Sequence, residues 1–218
     1  MSKGLALVTG AAQGMGQAIA LQLANNGFDV ALNDIPAKKE QLDTVAQEVN
    51  ATGHKALVVT VEELGGLDVM VANAGISGLL GPLVDSSTEA WDKLFAINAR
   101  GVYLCYKHAA KQMIAQGRGG RIIGASSAAG KRASELGKHG ITVNSYVPGI
   151  IDTPMLHGLE DQGDRNTHGG RHHWRLKWEQ SAVAATPAGY TGKPEDIAGM
   201  VSYLASKEAH FVAGQSVR

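Results

Sequence analysis

The sequence is poor in several features that mark particular classes of protein. It has a single cysteine, Cys105, so no internal disulfide can form and a reducing compartment is expected. No apolar run approaches the length of a membrane-spanning helix, and the first residues carry no signal-peptide pattern. The 20 basic and 20 acidic residues cancel, which argues against nucleic acid or an anionic membrane as a partner. We therefore predict a soluble, cytoplasmic protein whose partner is a small molecule or another protein.

The sequence does contain enough apolar material for one sizeable core. Hydrophobic residues make up 44% of the 218 positions, and we predict a single domain over residues 1–218. Segments of strand and helix character alternate along the chain. Such alternation predicts an α/β fold in which a parallel sheet is covered by helices on both faces.

The most informative stretch is residues 5–16. An apolar run of strand length breaks into a turn that contains Gly10, Gly14 and Gly16, and helix-forming residues follow. The first glycine allows a sharp turn, the second lets the backbone approach a pyrophosphate, and the third lets the helix pack close to the strand. The helix N-terminus then points at the anion, so the pattern predicts a phosphate-binding turn.

A second predicted strand, residues 28–32, ends just before Asp34. This acidic residue lies at about the twenty-residue distance from the turn at which a carboxylate can bind an adenosine ribose. The strand, helix and acid together favour a dinucleotide site over an ordinary glycine turn. The candidate cofactor-binding residues in this half are Gly10, Gln13, Gly14, Met15, Gly16 and Asp34.

The Thr-Gly-x-x-x-Gly-x-Gly spacing at residues 9–16 resembles the short-chain dehydrogenase/reductase family, and the resemblance covers nearly the whole chain. It implies a doubly wound parallel sheet of the Rossmann type, a nicotinamide cofactor and a dimer or tetramer. It also implies hydride transfer between the nicotinamide and a small ketone or secondary alcohol. Members that act on diacetyl and acetoin are the most similar.

The resemblance leaves a gap between the predicted third strand, residues 55–61, and the fourth, residues 67–71. Five residues link them, where the family has a crossover helix. The path across the sheet is about 22 Å, whereas five residues reach only about 20 Å. We therefore predict that the third strand cannot take its usual place unless the sheet shortens or rearranges.

Two motifs of the central region match the family. Residues 72–76 resemble its Asn-Asn-Ala-Gly motif with Ala72 in place of the first Asn, and Asn73, Ala74 and Gly75 match the part that borders the cofactor. An ordinary polar turn is the alternative. Asn98 matches the asparagine that holds a water in the family's proton relay, and a helix kink with a satisfied amide is the alternative.

The helix that contains Asn98 has an apolar stripe. Ser86 or Ser87 could cap the helix N-terminus. Apolar residues then recur at helical spacing, which predicts a face packed in the core. The stripe consists of Trp91, Leu94, Phe95 and Ile97.

The family's catalytic residues are only partly present. Ser127 matches the catalytic serine, but the helix that should carry the tyrosine and lysine is missing before residues 135–140. Tyr103 and Lys107 have the right spacing, but they precede the serine and lie where the family has a helix that commonly forms a dimer face. Tyr146 lies on the next predicted strand and is no substitute by position.

Downstream, residues 148–155 resemble the family's Pro-Gly turn, with Pro148 and Gly149 at its start. By this match the backbone of Ile151 and the hydroxyl of Thr153 would hold the nicotinamide carboxamide. The alternative is a plain turn. The chain stops inside what resembles the last strand of the family.

Residues 156–186 are polar and glycine-punctuated, which fits a lid over a substrate pocket. His168 and His172 are four residues apart, as metal ligands on a helix can be. Gly169 and Gly170 argue against that helix, and no further ligand completes a set. We therefore predict no metal site.

The expected cofactor is NAD, and NADP is the less favoured alternative. Asp34 would repel a 2′-phosphate, and neither Gln13 nor Ile35 supplies the cation that would offset this charge. Lys38 and Lys39 are close in sequence and leave the choice open. Three interpretations of the whole chain remain: an active oxidoreductase, a dinucleotide-binding protein without catalysis, and an incomplete product of such a gene.

Overall fold

In the computed structural model, residues 1–58, 66–77, 86–125, 135–157, 183 and 189–217 are described. Seven strands in these ranges form one parallel sheet with the order β3-β2-β1-β4-β5-β6-β7. The strands are β1 (Leu5–Thr9), β2 (Asp29–Asn33), β3 (Ala56–Val58), β4 (Val69–Ala72), β5 (Gly120–Ala125), β6 (Ile141–Tyr146) and β7 (Ser216–Val217). The predicted doubly wound sheet is confirmed.

Helices cover both faces of this sheet. They are α1 (Gly14–Asn25), α2 (Lys39–Ala51), α3 (Thr88–Phe95), α4 (Val102–Gln116) and α5 (Pro194–Ala205). A π-helical segment, Ala96–Gly101, joins α3 to α4. Ser87 caps α3, because its hydroxyl accepts a hydrogen bond from the Ala90 N–H at 3.1 Å. The predicted serine cap is therefore confirmed at the second of the two candidate positions.

The core lies in two layers, one on each side of the sheet. On one side α1, α2 and α5 pack on the strands, and on the other side α4 does so. Val8 and Val71 face the first layer, whereas Leu7 and Met70 face the second. Adjacent strand residues point to opposite faces, so a central parallel strand is buried on both sides and is apolar throughout. This explains the unbroken apolar run before the glycine turn.

The third strand occupies its usual edge position, because β3 pairs in parallel with β2. Its described part is Ala56–Val58, and residues 59–61 of the predicted strand lie outside the described residues, as do residues 62–65 of the predicted link. The strand order places β3 beside β2 at the edge of the sheet, so the order of strands is not rearranged.

The prediction that the α3 stripe lies in the core is wrong. No residue of α3 is buried, and Trp91 and Phe95 are 46% and 47% exposed. Their rings stack on each other with centroids 4.4 Å apart. Leu94 and Ile97 are half-buried. Helical spacing gives a helix one apolar face, but no core element of the described ranges buries that face.

None of the helices in the described ranges has both the length and the apolar character needed to cross a membrane.

Candidate dinucleotide site

A cavity of about 420 Å³ opens where the carboxyl ends of β1, β2 and β4 meet. In a parallel sheet the carboxyl ends of all strands point the same way, and ligands of doubly wound proteins bind just beyond them. Ten residues that the sequence predicts for the cofactor line this cavity. They are Gly10, Gln13, Gly14, Met15, Gly16, Asp34, Asn73, Ala74, Gly75 and Thr153.

The turn between β1 and α1 requires glycine for steric reasons. Gly10 and Gly14 have φ angles of +67° and +56°, a region that side-chain-bearing residues avoid. Gly16 has an ordinary backbone, but a Cβ atom there would lie 2.0 Å from the carbonyl oxygen of Gly10. The close approach of helix and strand that the motif predicts is therefore present.

The N-terminus of α1 faces this cavity and has no side chain that neutralises it. Gln13, the N-cap residue, makes no side-chain capping bond, and the first turn contains no acidic residue. The first N–H groups of a helix lack intrahelical partners and carry a partial positive charge. This end of α1 is therefore suited to a phosphate group.

Asp34 is fixed at the cavity by two backbone groups. Its Oδ2 accepts a hydrogen bond from the Ala12 N–H at 2.9 Å, and its Oδ1 accepts one from the Ile35 N–H at 2.8 Å. A carboxylate oxygen has a further lone pair, so both oxygens keep acceptor capacity. Lys38 also lines the cavity, and its ammonium donates to Oε1 of Gln13. Asp34 and Lys38 thus share the cavity, and the binding of a ribose by Asp34 stays a prediction.

Asn73 lies beneath the glycine turn. Its Nδ2 donates to the carbonyl oxygens of Thr9 and Gly10 at 3.0 and 3.3 Å. Its backbone N–H donates to the Thr9 hydroxyl at 3.1 Å, and so does that of Ala74 at 3.0 Å. These bonds join the end of β4 to the end of β1. Asn73 thus supports the turn from below as well as bordering the cavity.

Thr153 closes the cavity opposite the turn. It is 9% exposed, and its methyl group would lie 3.4 Å from a Cβ atom built on Gly14. Just before it, Asp152 donates from its N–H to the Gly192 carbonyl at 2.9 Å, which ties this segment to the start of α5. Pro148, Gly149 and Ile151 are not among the described residues that line the cavity. The nicotinamide role that the resemblance gives to Ile151 and Thr153 stays a prediction.

Two models of known protein families match this sequence. One described as short chain dehydrogenase matches residues 4–135, more than half of the chain. The chain belongs to the short-chain dehydrogenase/reductase family. A second model, described as enoyl-(acyl carrier protein) reductase, matches residues 131–218.

Individual relatives cover the chain from end to end. A short-chain dehydrogenase/reductase of Hericium erinaceus is 45% identical, over 99% of this chain and 96% of the relative. L-2,3-butanediol dehydrogenase of Corynebacterium glutamicum is 32% identical, over 99% of this chain and 96% of the relative.

Similar solved structures include proteins with a bound nicotinamide cofactor. A Mycobacterium paratuberculosis enzyme bound to NAD has 28% identity, a TM-score of 0.81 and coverage of 99% and 96%. A putative 2-deoxy-D-gluconate 3-dehydrogenase of Agrobacterium tumefaciens with bound NADP has 27% identity and a TM-score of 0.82. The match covers 100% of this chain and 94% of that protein.

The first of these alignments also bears on the missing segments. It extends over 256 positions, at least 38 more than the 218 residues of this chain (256 − 218 = 38). The Hericium erinaceus relative therefore contains residues that have no counterpart here. This agrees with the prediction that segments of the short-chain family are absent from the sequence.

The family's asparagine, Asn98, lies in the π-helical segment between α3 and α4. Its Oδ1 accepts from the Ile76 N–H at 2.9 Å, and its Nδ2 donates to the Ile76 carbonyl at 2.8 Å. Both the oxygen and the nitrogen of its amide are thus hydrogen-bonded, as the alternative of a helix kink with a satisfied amide requires. The two bonds tie the π-helical segment to the residues after β4. Its role in a proton relay stays a prediction.

The remaining candidate residues lie either outside the described ranges or away from the cavity. The candidate serine, Ser127, lies outside the described residues, as do the rejected metal pair His168 and His172 and most of the predicted lid. Tyr103 and Lys107 lie on the exposed side of α4, with the lysine Nζ 5.9 Å from the tyrosine ring centroid, and neither lines the cavity. Among the residues that the structure describes, no group of three or more His, Cys, Asp or Glu could hold a metal ion.

Sequence reasoning missed several residues that line the cavity. Lys38 was considered only as a neighbour in sequence, and Ile97 was assigned to the core. Lys38 reaches the cavity from the turn just before α2, and Ile97 reaches it from the π-helical segment. The full set of missed residues is Ile35, Lys38, Ile76, Ser77, Ile97, Pro154 and Met155.

Proposed function

We propose that this chain binds NAD at the β1–α1 turn and that its reaction class is hydride transfer between the nicotinamide and a small ketone or secondary alcohol. One observation carries the proposal: the glycine turn, the open N-terminus of α1 and Asp34 share a single cavity. The turn and the helix would bind the pyrophosphate, and Asp34 would accept hydrogen bonds from the adenosine ribose. The cofactor, when bound, supplies or accepts the hydride.

The preference for NAD rests on the charge of Asp34. This carboxylate would repel a 2′-phosphate, and the ammonium of Lys38, the cation among the described lining residues, is directed to Oε1 of Gln13. Titration with NADH and NADPH tests the preference, with protein fluorescence as the readout. We expect NADH to bind at least about tenfold more tightly. Asp34→Asn should narrow this difference, and tighter binding of NADPH by the unmodified chain would overturn the preference.

The proposed substrate class follows the relatives. The Corynebacterium glutamicum relative is named for butanediol, a small secondary alcohol. The apolar side chains Ile76, Ile97 and Met155 at the cavity suit a small, weakly polar substrate. Diacetyl, acetoin and small cyclic ketones are therefore the first substrates to assay.

A second candidate is dinucleotide binding without turnover. It is favoured because no tyrosine is among the described residues that line the cavity. In the family mechanism a tyrosine gives the proton to the carbonyl oxygen, and the neighbouring lysine lowers the pKa of that tyrosine. Positioned acid–base catalysis is commonly worth about a hundred- to ten-thousandfold in rate.

One assay separates the two candidates. The purified 218-residue chain is mixed with NADH and diacetyl, and absorbance is followed. Steady loss of NADH absorbance would support the oxidoreductase. Binding of NADH without steady turnover would support the second candidate, and we expect this outcome unless another acid replaces the tyrosine. Turnover that survives mutation of Tyr103 and Lys107 would mean that another acid serves, whereas turnover abolished by Tyr103→Phe would mean that this motif was wrongly rejected.

We further propose that the chain self-associates through α3 and α4. Large apolar side chains are exposed on these helices, and a second copy of the chain is the proposed cover because members of the family commonly form oligomers. Exposed apolar patches of this kind mark interaction surfaces. The side chains are Trp91, Phe95, Tyr103, Leu104 and Ile114.

A further inference from the structure

Tyr146 makes a hydrogen bond that links two distant parts of the sheet. It is the last residue of β6 and is fully buried. Its hydroxyl donates to Oδ1 of Asn73 at 2.8 Å. β5 lies between β6 and β4, so the phenol must reach across a whole strand to make this contact.

The strand that Tyr146 crosses ends in small residues. Ala125 is its register partner on β5, and the preceding Gly124 pairs with Ala72 of β4. Tyr146, Ala125 and Val71 belong to the same core layer, the one that contains α1. The ring therefore passes over the end of β5 beneath the glycine turn. The contact depends on the size of the tyrosine and on the absence of bulk on the strand between.

The hydroxyl completes the hydrogen bonding of the Asn73 amide. The carbonyl oxygens of Thr9 and Gly10 can only accept, so the NH₂ group points toward them and donates both hydrogens. Oδ1 then points toward Tyr146, and the phenol O–H supplies its hydrogen bond. Among the described residues no other group donates to Oδ1. A buried acceptor without a partner is costly, so loss of the phenol O–H would release the amide.

The amide has little room to move without disturbing the turn. A Cβ atom on Gly16 would lie 2.7 Å from Nδ2 of Asn73, and one on Gly10 would lie 3.1 Å from it. The NH₂ group is thus held between the beginning of the turn and the beginning of α1. Any shift of the amide changes the path of the backbone that faces the pyrophosphate position.

We propose that Tyr146 is a positioning residue for dinucleotide binding, which acts by holding the Asn73 amide against the glycine turn. The inference rests on the proposed binding of NAD. It gives a function to a tyrosine that has no place in the family's catalytic motif. Burial raises the pKa of the Tyr146 phenol above its ordinary value, so the hydroxyl remains a donor at neutral and moderately alkaline pH.

The test is Tyr146→Phe, which removes the O–H and keeps the ring. The matched control is Tyr203→Phe, since Tyr203 is on α5 and half exposed. Affinity is measured for NADH and for adenosine, which lacks the pyrophosphate but keeps the ribose that Asp34 would bind. We expect Tyr146→Phe to weaken NADH by about three- to tenfold and to leave adenosine within about twofold. Tyr203→Phe should change neither.

A double-mutant cycle shows whether the effect passes through Asn73. In an Asn73→Ala background, Tyr146→Phe should weaken NADH no further, because the two residues act as one unit. If Tyr146→Phe does not fold, Tyr146→Met tests the same contact, because it also fills the site without an O–H, and it should weaken NADH while sparing adenosine. Unchanged NADH binding, an equal loss for both ligands, or additive effects in the cycle would overturn the inference. If the unmodified chain binds no dinucleotide, the proposed function itself fails.

Discussion

The two helices α1 and α3 illustrate how differently similar sequence patterns are used in this molecule. Both have apolar residues at helical spacing. α1 packs on the sheet beside α5, and five of its residues are buried, including Ile19 and Leu23. α3 has none buried, and the stacked rings of Trp91 and Phe95 are almost half exposed. The spacing determines that a helix has an apolar face, but only the neighbouring elements determine whether the protein itself covers that face.

The polar residues beside these helices differ in the same way. Asn73, which follows β4 and lies beside the start of α1, bonds to β1 on one side and to β6 on the other. Asn98, after α3, bonds only to the backbone of Ile76 among the described residues. The α1 side is therefore cross-linked through the sheet, whereas the α3 side is attached locally. Three experiments can test this contrast.

The largest effect is expected for Gly16→Ala on the α1 side. The new Cβ atom would lie 2.0 Å from the Gly10 carbonyl, so the turn or the helix must shift. We expect NADH affinity to fall at least about tenfold and the free energy of unfolding to fall by about 1–3 kcal/mol. Isothermal titration and urea unfolding measure the two quantities.

Gly199→Ala is the matched control for that experiment. Gly199 is also helical, but nothing lies within 4 Å of its Cβ position. Alanine there should stabilise the fold by about 0.5–1 kcal/mol and leave NADH binding unchanged. Equal effects of the two substitutions would show that the close approach of α1 to β1 is not what limits the site.

A smaller effect on stability is expected for the double substitution Trp91→Ser and Phe95→Ser. Because α3 buries no residue, the free energy of unfolding should fall by about 0.5–1.5 kcal/mol, the contribution of one aromatic pair. If a second copy covers this face, the same change should convert an oligomer to a monomer. Light scattering coupled to gel filtration measures the mass.

Tyr190→Ser is the control, since Tyr190 is 66% exposed and lies before α5. It should leave the mass unchanged. An oligomer that survives the double substitution would place the interface elsewhere. A loss of several kcal/mol would mean that the α3 face is part of the folded core after all.

The smallest effect concerns the pH dependence of stability. The pKa of Tyr146 is raised in the folded chain, first by burial and then by the nearby Tyr106. The unfolded chain releases this proton near pH 10, while the folded chain retains it. The stabilisation is therefore complete below about pH 10 and is lost as the pH rises further, by up to about 1.4 kcal/mol per pH unit. Unfolding in urea at pH 8, 9, 10 and 11 reports it.

Tyr146→Phe removes this titration. The difference in unfolding free energy between the unmodified chain and the variant should be constant up to about pH 9 and should then decline. Parallel curves over the whole range would mean that the phenol is not buried as the structure places it.

Some of the site was predictable because local rules govern it. The glycines need a particular backbone or a close approach, and Asp34 follows a strand at a distance set by the strand–helix–strand unit. Ten predicted residues therefore line the cavity. Lys38 was not placed, because its side chain reaches Gln13 only through the packing of α2.

The sequence by itself determined the alternation of strands and helices, the glycine turn between β1 and α1, and the acid after β2. These features depend on residue type and short spacings. Tertiary structure alone decided that α3 is uncovered, that β3 keeps its edge position, and that Tyr146 meets Asn73. Tyr146 and Asn73 are 73 positions apart, and the strands β6 and β4 that they end or follow are not neighbours in the sheet. No short-range pattern records such a contact, because it depends on strand order, register and the small residues of the strand between.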